Sequence, residues 1–257
     1  MSKHSNISVP SANVFSIDEV QRFRNETAGC SNVIHLNNAG AGLMPDVVTE
    51  AQLAHIKLES EIGGYEASAR MADAITEFYT QASLLLNCKP SNIAFTSSAT
   101  DSYTRALSAI PFVPGDIILT DNDDFVSNQI QFLSLQKRLG VKIIHINNSK
   151  EHGGVDLNDL EEKLKKYKPR LLAITHIPTN SGLVQPVLAI AEIYHAYRQS
   201  NPDNTWYILD ACQSAGQLKL DVRELCCDFM SITARKFIRG PRGTGILYIA
   251  DRALHAG

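Results

Sequence analysis

The sequence predicts an α/β fold of three layers, a mainly parallel seven-stranded sheet with helices on both faces. Three observations point there. From about residue 90 onward, seven short apolar runs rich in Ile and Leu recur, bounded by Gly, Pro, Asn or Asp. Stretches with helical periodicity alternate with these runs. Most runs show no polar alternation, which suits strands covered on both sides.

The elements follow in order. Residues 1–33 are polar and mixed and read as an arm or an early helix; residues 34–257 read as one large domain. Met71, Ala74, Ile75, Phe78, Ala82, Leu85 and Leu86 repeat at helical spacing, as expected of a core-facing helix. The runs expected as strands are 93–97, 117–120, 142–146, 171–177, 206–211, 229–233 and 245–250. Between them, Leu157, Leu160 and Leu164 form a second helical stripe, and Val187, Ile190, Ala191, Tyr194 and Tyr197 a third.

Composition narrows the function. The chain has 257 residues, with 24 Lys plus Arg against 27 Asp plus Glu, for a net charge of −3. That balance speaks against a nucleic-acid binder, which needs a basic field to track phosphates. No apolar run is long enough to span a membrane. Residues 1–10 are polar, without the apolar segment of a signal peptide. The five cysteines are odd in number and form no CxxC pair, so the expected compartment is a reducing cytoplasm. The eight histidines show no HExxH spacing, and no metal site is expected.

In parallel α/β sheets, ligands sit beyond the carboxyl ends of the strands, so chemistry is sought just after each run. After 93–97 comes Ser98-Ala99-Thr100, opening a helix. Its free N–H groups and positive dipole end suit an anion; the same residues also make an ordinary helix cap. Asp210 ends the fifth run. A carboxylate there needs a metal, a protonated ring nitrogen or a salt bridge, or else it caps the next turn. Lys236 follows the sixth run, flanked by apolar residues and by Arg235 and Arg239. Desolvation and like charge both lower an amine's pKa toward nucleophilicity; the alternative is a surface lysine in a basic loop. The glycines at 240–245 follow a loop instead of opening a helix, so they make neither a dinucleotide fingerprint nor a P-loop.

A phosphate cup, an acid for a ring nitrogen and a lysine for an aldehyde are what pyridoxal 5′-phosphate requires. With Ala234-Arg-Lys-Phe-Ile-Arg-Gly-Pro-Arg-Gly-Thr-Gly-Ile-Leu-Tyr248, the chain resembles the aminotransferase class V family of fold-type I pyridoxal-phosphate enzymes, from about His35 to its end. That group includes cysteine desulfurases, selenocysteine lyase-like proteins and isopenicillin N epimerase-like proteins, and the quoted stretch looks most like the epimerase-like and sulfoxide-lyase-like branch. The resemblance implies the following roles. Lys236 forms a Schiff base with the cofactor and then moves the proton at the substrate α-carbon. Asp210 pairs with the pyridine nitrogen. Gln213, with Thr179 or Asn180, lies near the ring hydroxyl. Ser98, Ala99 and Thr100 hold the phosphate, helped by Thr233 and Arg235. Asn38, Ala39 and Gly40 border the substrate carboxylate. The reaction on an amino acid is transamination, β-elimination or epimerisation; a cofactor-binding protein without turnover is the alternative. The family also implies a homodimer, with the neighbour's Gly-rich loop near the phosphate. Tyr65 is then either a residue given to the partner's site or a tyrosine packed in its own turn.

Two departures from the family pattern follow. Desulfurases carry a ring-stacking histidine after a glutamate, where this chain has Asp124-Phe125. Phe125 can stack on a ring but cannot move protons, which argues against desulfurase chemistry; Arg235, likewise, replaces a histidine that often precedes the lysine. Family members also continue into a smaller C-terminal domain that supplies an arginine for the substrate carboxylate. The sequence ends at Gly257, so that domain is expected to be absent, with Arg239 and Arg242 as the substitutes on hand.

Overall fold

The computed structural model describes residues 15–201 and 205–255; the polar stretch 1–10 and Gly257 lie outside the described residues. The N-terminal part read as an arm or early helix holds α1 (Ile17–Asn25) and α2 (Gly29–Asn32). A capping box starts α1: Glu19 N–H donates to the Ser16 hydroxyl, and Ser16 N–H donates to the Glu19 carboxylate. Helices α3 (Asp46–Ile62), α4 (Gly64–Arg70) and α5 (Ala72–Leu86) follow. The sheet domain then alternates: β1 (Ile93–Thr96), α6 (Ala99–Ala109), β2 (Ile117–Thr120), α7 (Val126–Leu139), β3 (Lys142–His145), α8 (Leu157–Tyr167), β4 (Leu171–Thr175), α9 (Val187–Ser200), β5 (Trp206–Asp210), α10 (Val222–Leu225), β6 (Phe229–Thr233), β7 (Gly245–Ile249) and α11 (Asp251–Leu254).

The seven strands form one sheet in the order β1-β7-β6-β5-β4-β2-β3. The run from β6 to β3 is parallel throughout, while β7 is antiparallel to both β6 and β1. The cause is local. A parallel return needs a crossover of about a dozen residues or more, usually a helix. Residues 234–244 instead form a compact loop, pinned by Gly240 N–H donating to Ala234 O, so the chain reverses.

Both faces of the sheet are covered. Along β4, Leu172 and Ile174 enter a core shared with α5, α8 and α9, whereas Leu171 and Ala173 enter the opposite core with α6 and α7. All five β4 residues are therefore buried, which is why that run lacks alternation. The α9 stripe from Val187 to Tyr197 is buried as expected. The stripe at 71–86 needs correcting. Met71 lies at the break between α4 and α5, and Ile75 and Leu85 are 45% and 40% exposed. Ala82 and Leu86 are buried in the core and Phe78 packs against it, as the stripe requires.

Candidate active site

The carboxyl ends of β1, β2, β4, β5 and β6 lie along one edge of the sheet and deliver their following loops to one cleft. It encloses about 470 Å³ with its solvent mouth included.

The turn after β1 brings Ser98, Ala99 and Thr100 to this cleft. Ser98 is the N-cap of α6, and its hydroxyl accepts from Asp101 N–H at 3.1 Å. The two readings of this segment coincide: the cap satisfies the third N–H of the helix, while the N–H groups of Ala99 and Thr100, at its first two positions, have no carbonyl of their own helix to reach. The turn lies close on β7 because Gly245 has no side chain. A Cβ there would come within 2.7 Å of both the Ser98 carbonyl carbon and Thr96 Oγ1.

The loop after β5 supplies Asp210, Cys212 and Gln213. Asp210 is 5% exposed. Its Oδ1 accepts from Cys212 N–H at 2.9 Å and its Oδ2 from Asn128 Nδ2 at 3.0 Å. Among the described residues no cationic side chain lies within 4.0 Å of it. Gln213 donates through Nε2 to Thr179 Oγ1 at 2.8 Å and to Ala39 O at 3.1 Å, and its buried Oε1 has no partner.

The loop after β6 supplies Arg235 and Lys236. Lys236 is 5% exposed, with Nζ 5.8 Å from the centre of the Phe125 ring. Burial lowers the amine's pKa, and the Arg235 charge adds to this; Cys212 and Asp210 oppose it. The 37–42 turn closes over this loop: Gly42 N–H donates to Arg235 O at 2.7 Å, and a Cβ at Gly42 would meet Lys236 O at 2.5 Å.

The remaining expected residues sit at varying distances from the cleft. Phe125 and Thr179 line it. Thr233 lies beside it and accepts from Arg235 Nη1 at 2.9 Å. Asn180 is exposed in the turn closed by Gly182 N–H and Pro178 O and lies outside the lining, so Thr179 is the one that meets Gln213. Of Asn38, Ala39 and Gly40, the Ala39 carbonyl reaches Gln213; Gly40 N–H turns back on Asn37, and Asn38 lines a separate groove. Arg239 lies in that groove too, with its guanidinium donating to Leu43 O and Thr27 Oγ1, which makes it a structural tie. Tyr65 is 94% exposed, which removes the reading of a tyrosine packed in its own turn.

Sequence reasoning passed over Asn128, Thr175 and Cys212, all in the lining. The available signal was position: Asn128 is one helical turn beyond Phe125, and Thr175 and Cys212 flank strand ends.

The residues fit pyridoxal 5′-phosphate. Asp210 is a buried carboxyl with no ion pair among the described residues, complementary to a protonated ring nitrogen. The start of α6 offers unpaired N–H groups to a phosphate. Gln213 Oε1 is an unused polar atom beside them, and Lys236 is an amine biased toward its neutral form.

Comparison with known proteins agrees with the geometry. Residues 33–256 match the model of the aminotransferase class-V family. A probable cysteine desulfurase of Pyrococcus abyssi is 28% identical over 223 residues, covering 84% of this chain and 53% of that protein. The apo cysteine desulfurase of Thermococcus onnurineus superposes with a TM-score of 0.76 at 25% identity, covering 90% of this chain and 57% of the other. A variant of C-DES with glycine covalently linked to its PLP cofactor superposes with a TM-score of 0.81 at 26% identity, covering 90% and 60%. The chain thus spans about half the length of the curated relatives it matches.

Proposed function

Since this chain belongs to the aminotransferase class-V family, we propose that it binds pyridoxal 5′-phosphate on Lys236 and acts on an amino acid at its α-carbon, by transamination, β-elimination or epimerisation. The observation that carries this reading is the meeting of Lys236 and Asp210 in one cleft with the start of α6.

The bound cofactor supplies an electrophilic aldehyde and an electron-accepting ring. The protein's residues divide the remaining work. Lys236 Nζ is the nucleophile; its lowered pKa leaves more of it neutral, and the same atom takes and returns the proton of the substrate α-carbon. Asp210 holds the proton of the ring nitrogen. Phe125 offers an apolar face for stacking. The N–H groups of Ala99 and Thr100, with Thr233 and Arg235, hold the phosphate. Gln213 and Thr179 face the ring hydroxyl. Phe125 cannot move a proton, so elimination of sulfur in the manner of a desulfurase would need a different acid.

A second reading is a cofactor-binding protein without turnover. Its support is that, among the described residues, Arg235 is the only guanidinium lining the cleft, and it is already bonded to Thr233. We further propose a cytoplasmic homodimer. The exposed Val126, Ile130 and Leu133 of α7, which follow the cleft-lining Phe125, offer an apolar face for a second copy, and Tyr65 is exposed elsewhere on α4. Among the described residues no helix is long and apolar enough to cross a membrane.

The test is an absorbance titration of the purified protein with pyridoxal 5′-phosphate, followed by borohydride trapping and a panel of amino acids assayed for keto acid, ammonia and sulfide. A visible band, a label on Lys236 and the loss of both in Lys236→Ala are expected. Absence of the band refutes the proposal. A band without turnover selects the second reading. Elution as a monomer at high concentration counts against the dimer.

A further inference from the structure

The chemistry assigned to Asp210 depends on how its carboxylate is held, and what holds it comes from a different strand end. Asn128, in the first turn of α7, is 1% exposed. Its Nδ2 donates to Asp210 Oδ2 at 3.0 Å and to Asp124 Oδ1 at 2.9 Å. An amide nitrogen has two protons, and here each meets a carboxylate oxygen. Turning the amide over would set its oxygen against both carboxylates, so this orientation is locked.

Asp124 is itself held on every side. Its Oδ1 also accepts from Thr175 Oγ1 at 2.6 Å and Phe125 N–H at 2.7 Å, and its Oδ2 accepts from Gln129 Nε2 at 3.1 Å. Thr175 lies directly beside Asp210 in the sheet register. The chain Thr175–Asp124–Asn128–Asp210 therefore runs from β4 through the loop after β2 and the start of α7 to β5, with Thr175, Asn128 and Asp210 in the wall of the cleft. Every donor in it points toward Asp210 or toward the group that orients the donor.

We propose that Asn128 and Asp124 are positioning residues: Asp124 sets the Asn128 amide, and the amide fixes the Asp210 carboxylate toward the ring nitrogen. This rests on the reading of Asp210 given above. Asn128 acts on the cofactor through Asp210, and Asp124 acts through Asn128. The two contributions must then be coupled instead of additive.

The full chain without cofactor is titrated with pyridoxal 5′-phosphate as the probe, in the wild type, Asn128→Leu, Asp124→Ala and the double variant. A hydrogen bond to a charged group corresponds to roughly tenfold to a hundredfold in affinity, and that weakening is expected for Asn128→Leu. A smaller loss is expected for Asp124→Ala, and no further loss when it is added to Asn128→Leu. The visible band of the bound cofactor shifts in both single variants, which a merely loosened fold would not cause. Wild-type affinity and an unshifted band in Asn128→Leu, or losses that add in the double variant, overturn the proposal. If Asn128→Leu does not fold, the isosteric Asp124→Asn serves instead: a moved band supports the proposal, and wild-type values refute it. A wild type that binds no cofactor refutes the functional reading itself, whereas a binding wild type with unchanged variants refutes only this inference.

Discussion

Lys236 and His176 are both buried bases, and burial acts on them in the same sense for different ends. At Lys236, desolvation lowers the pKa and so favours the neutral amine that attacks an aldehyde. The rate of cofactor capture by the apo protein should rise with pH through a midpoint below the ordinary lysine value of about 10.4. Stopped-flow absorbance across pH 7–11 reads it, and a midpoint at or above that value contradicts the assignment. His176 follows β4, is 4% exposed, and is held by burial down to about 4. The folded form keeps it neutral, while the unfolded chain takes up a proton near pH 6.5. The unfolded state then binds more protons, so this contribution is full above about pH 6.5 and is lost as pH falls toward 4. It amounts to about 3 kcal/mol over that window. In urea denaturation the stability of the wild type relative to His176→Phe should fall by that amount between about pH 6.5 and pH 4 and stay level above it. A constant difference would show that the imidazole's charge plays no part.

The turn joining β1 to α6 shows how an element is placed by what it packs on. Its anion-binding N–H groups belong to α6, but their position depends on Gly245 at the start of β7. Gly245→Ala would drive a methyl group into the Ser98 backbone, which cannot swing aside as a flexible side chain would. Overpacking of this kind costs about 1–3 kcal/mol. A matching loss of affinity for pyridoxal 5′-phosphate and for inorganic phosphate is expected, read by absorbance titration and by competition. Unchanged phosphate competition would detach the α6 terminus from the site. Gly216 does the same for the lysine loop: at φ +88°, its missing Cβ leaves room for the Phe237 carbonyl carbon, which would otherwise lie 2.7 Å away.

Across the molecule, one buried network ties the sheet to the described C-terminal helix. Asp228, 1% exposed ahead of β6, accepts from Tyr194 OH of α9 at 2.8 Å and from Tyr207 N–H of β5 at 2.9 Å, and pairs with Arg252 of α11 at 2.6 Å. Arg252 also lies over the Trp206 ring at 4.1 Å. Removing Arg252 takes away the shorter of two ion pairs, since Arg198 Nη1 lies 3.6 Å from Asp228 Oδ1, and costs about 2 kcal/mol, the order of a hydrogen bond to a charged group. Arg252→Ala should lower stability by that order in denaturant unfolding, with the loss of amide protection starting in α11 and β7. A change within about 0.5 kcal/mol, the scale of surface substitutions, would mean the pair is not a tie.

The sequence alone determined where the strands lie, because a strand buried on both faces must be written as an unbroken apolar run. It also marked Ser98–Thr100, Asp210 and Lys236, because polar residues at the ends of such runs are costly unless they have work to do. It carried no signal that β7 reverses, since that follows from how the 234–244 loop closes on itself. The packing decided the fate of Arg239, which sequence proximity set beside the lysine and the fold ties to Thr27. It also decided that Asn128 meets Asp210 across 82 residues. Contacts between distant segments leave no periodicity and no local spacing to read. They exist only once the strands are ordered side by side and their loops are brought to the same edge.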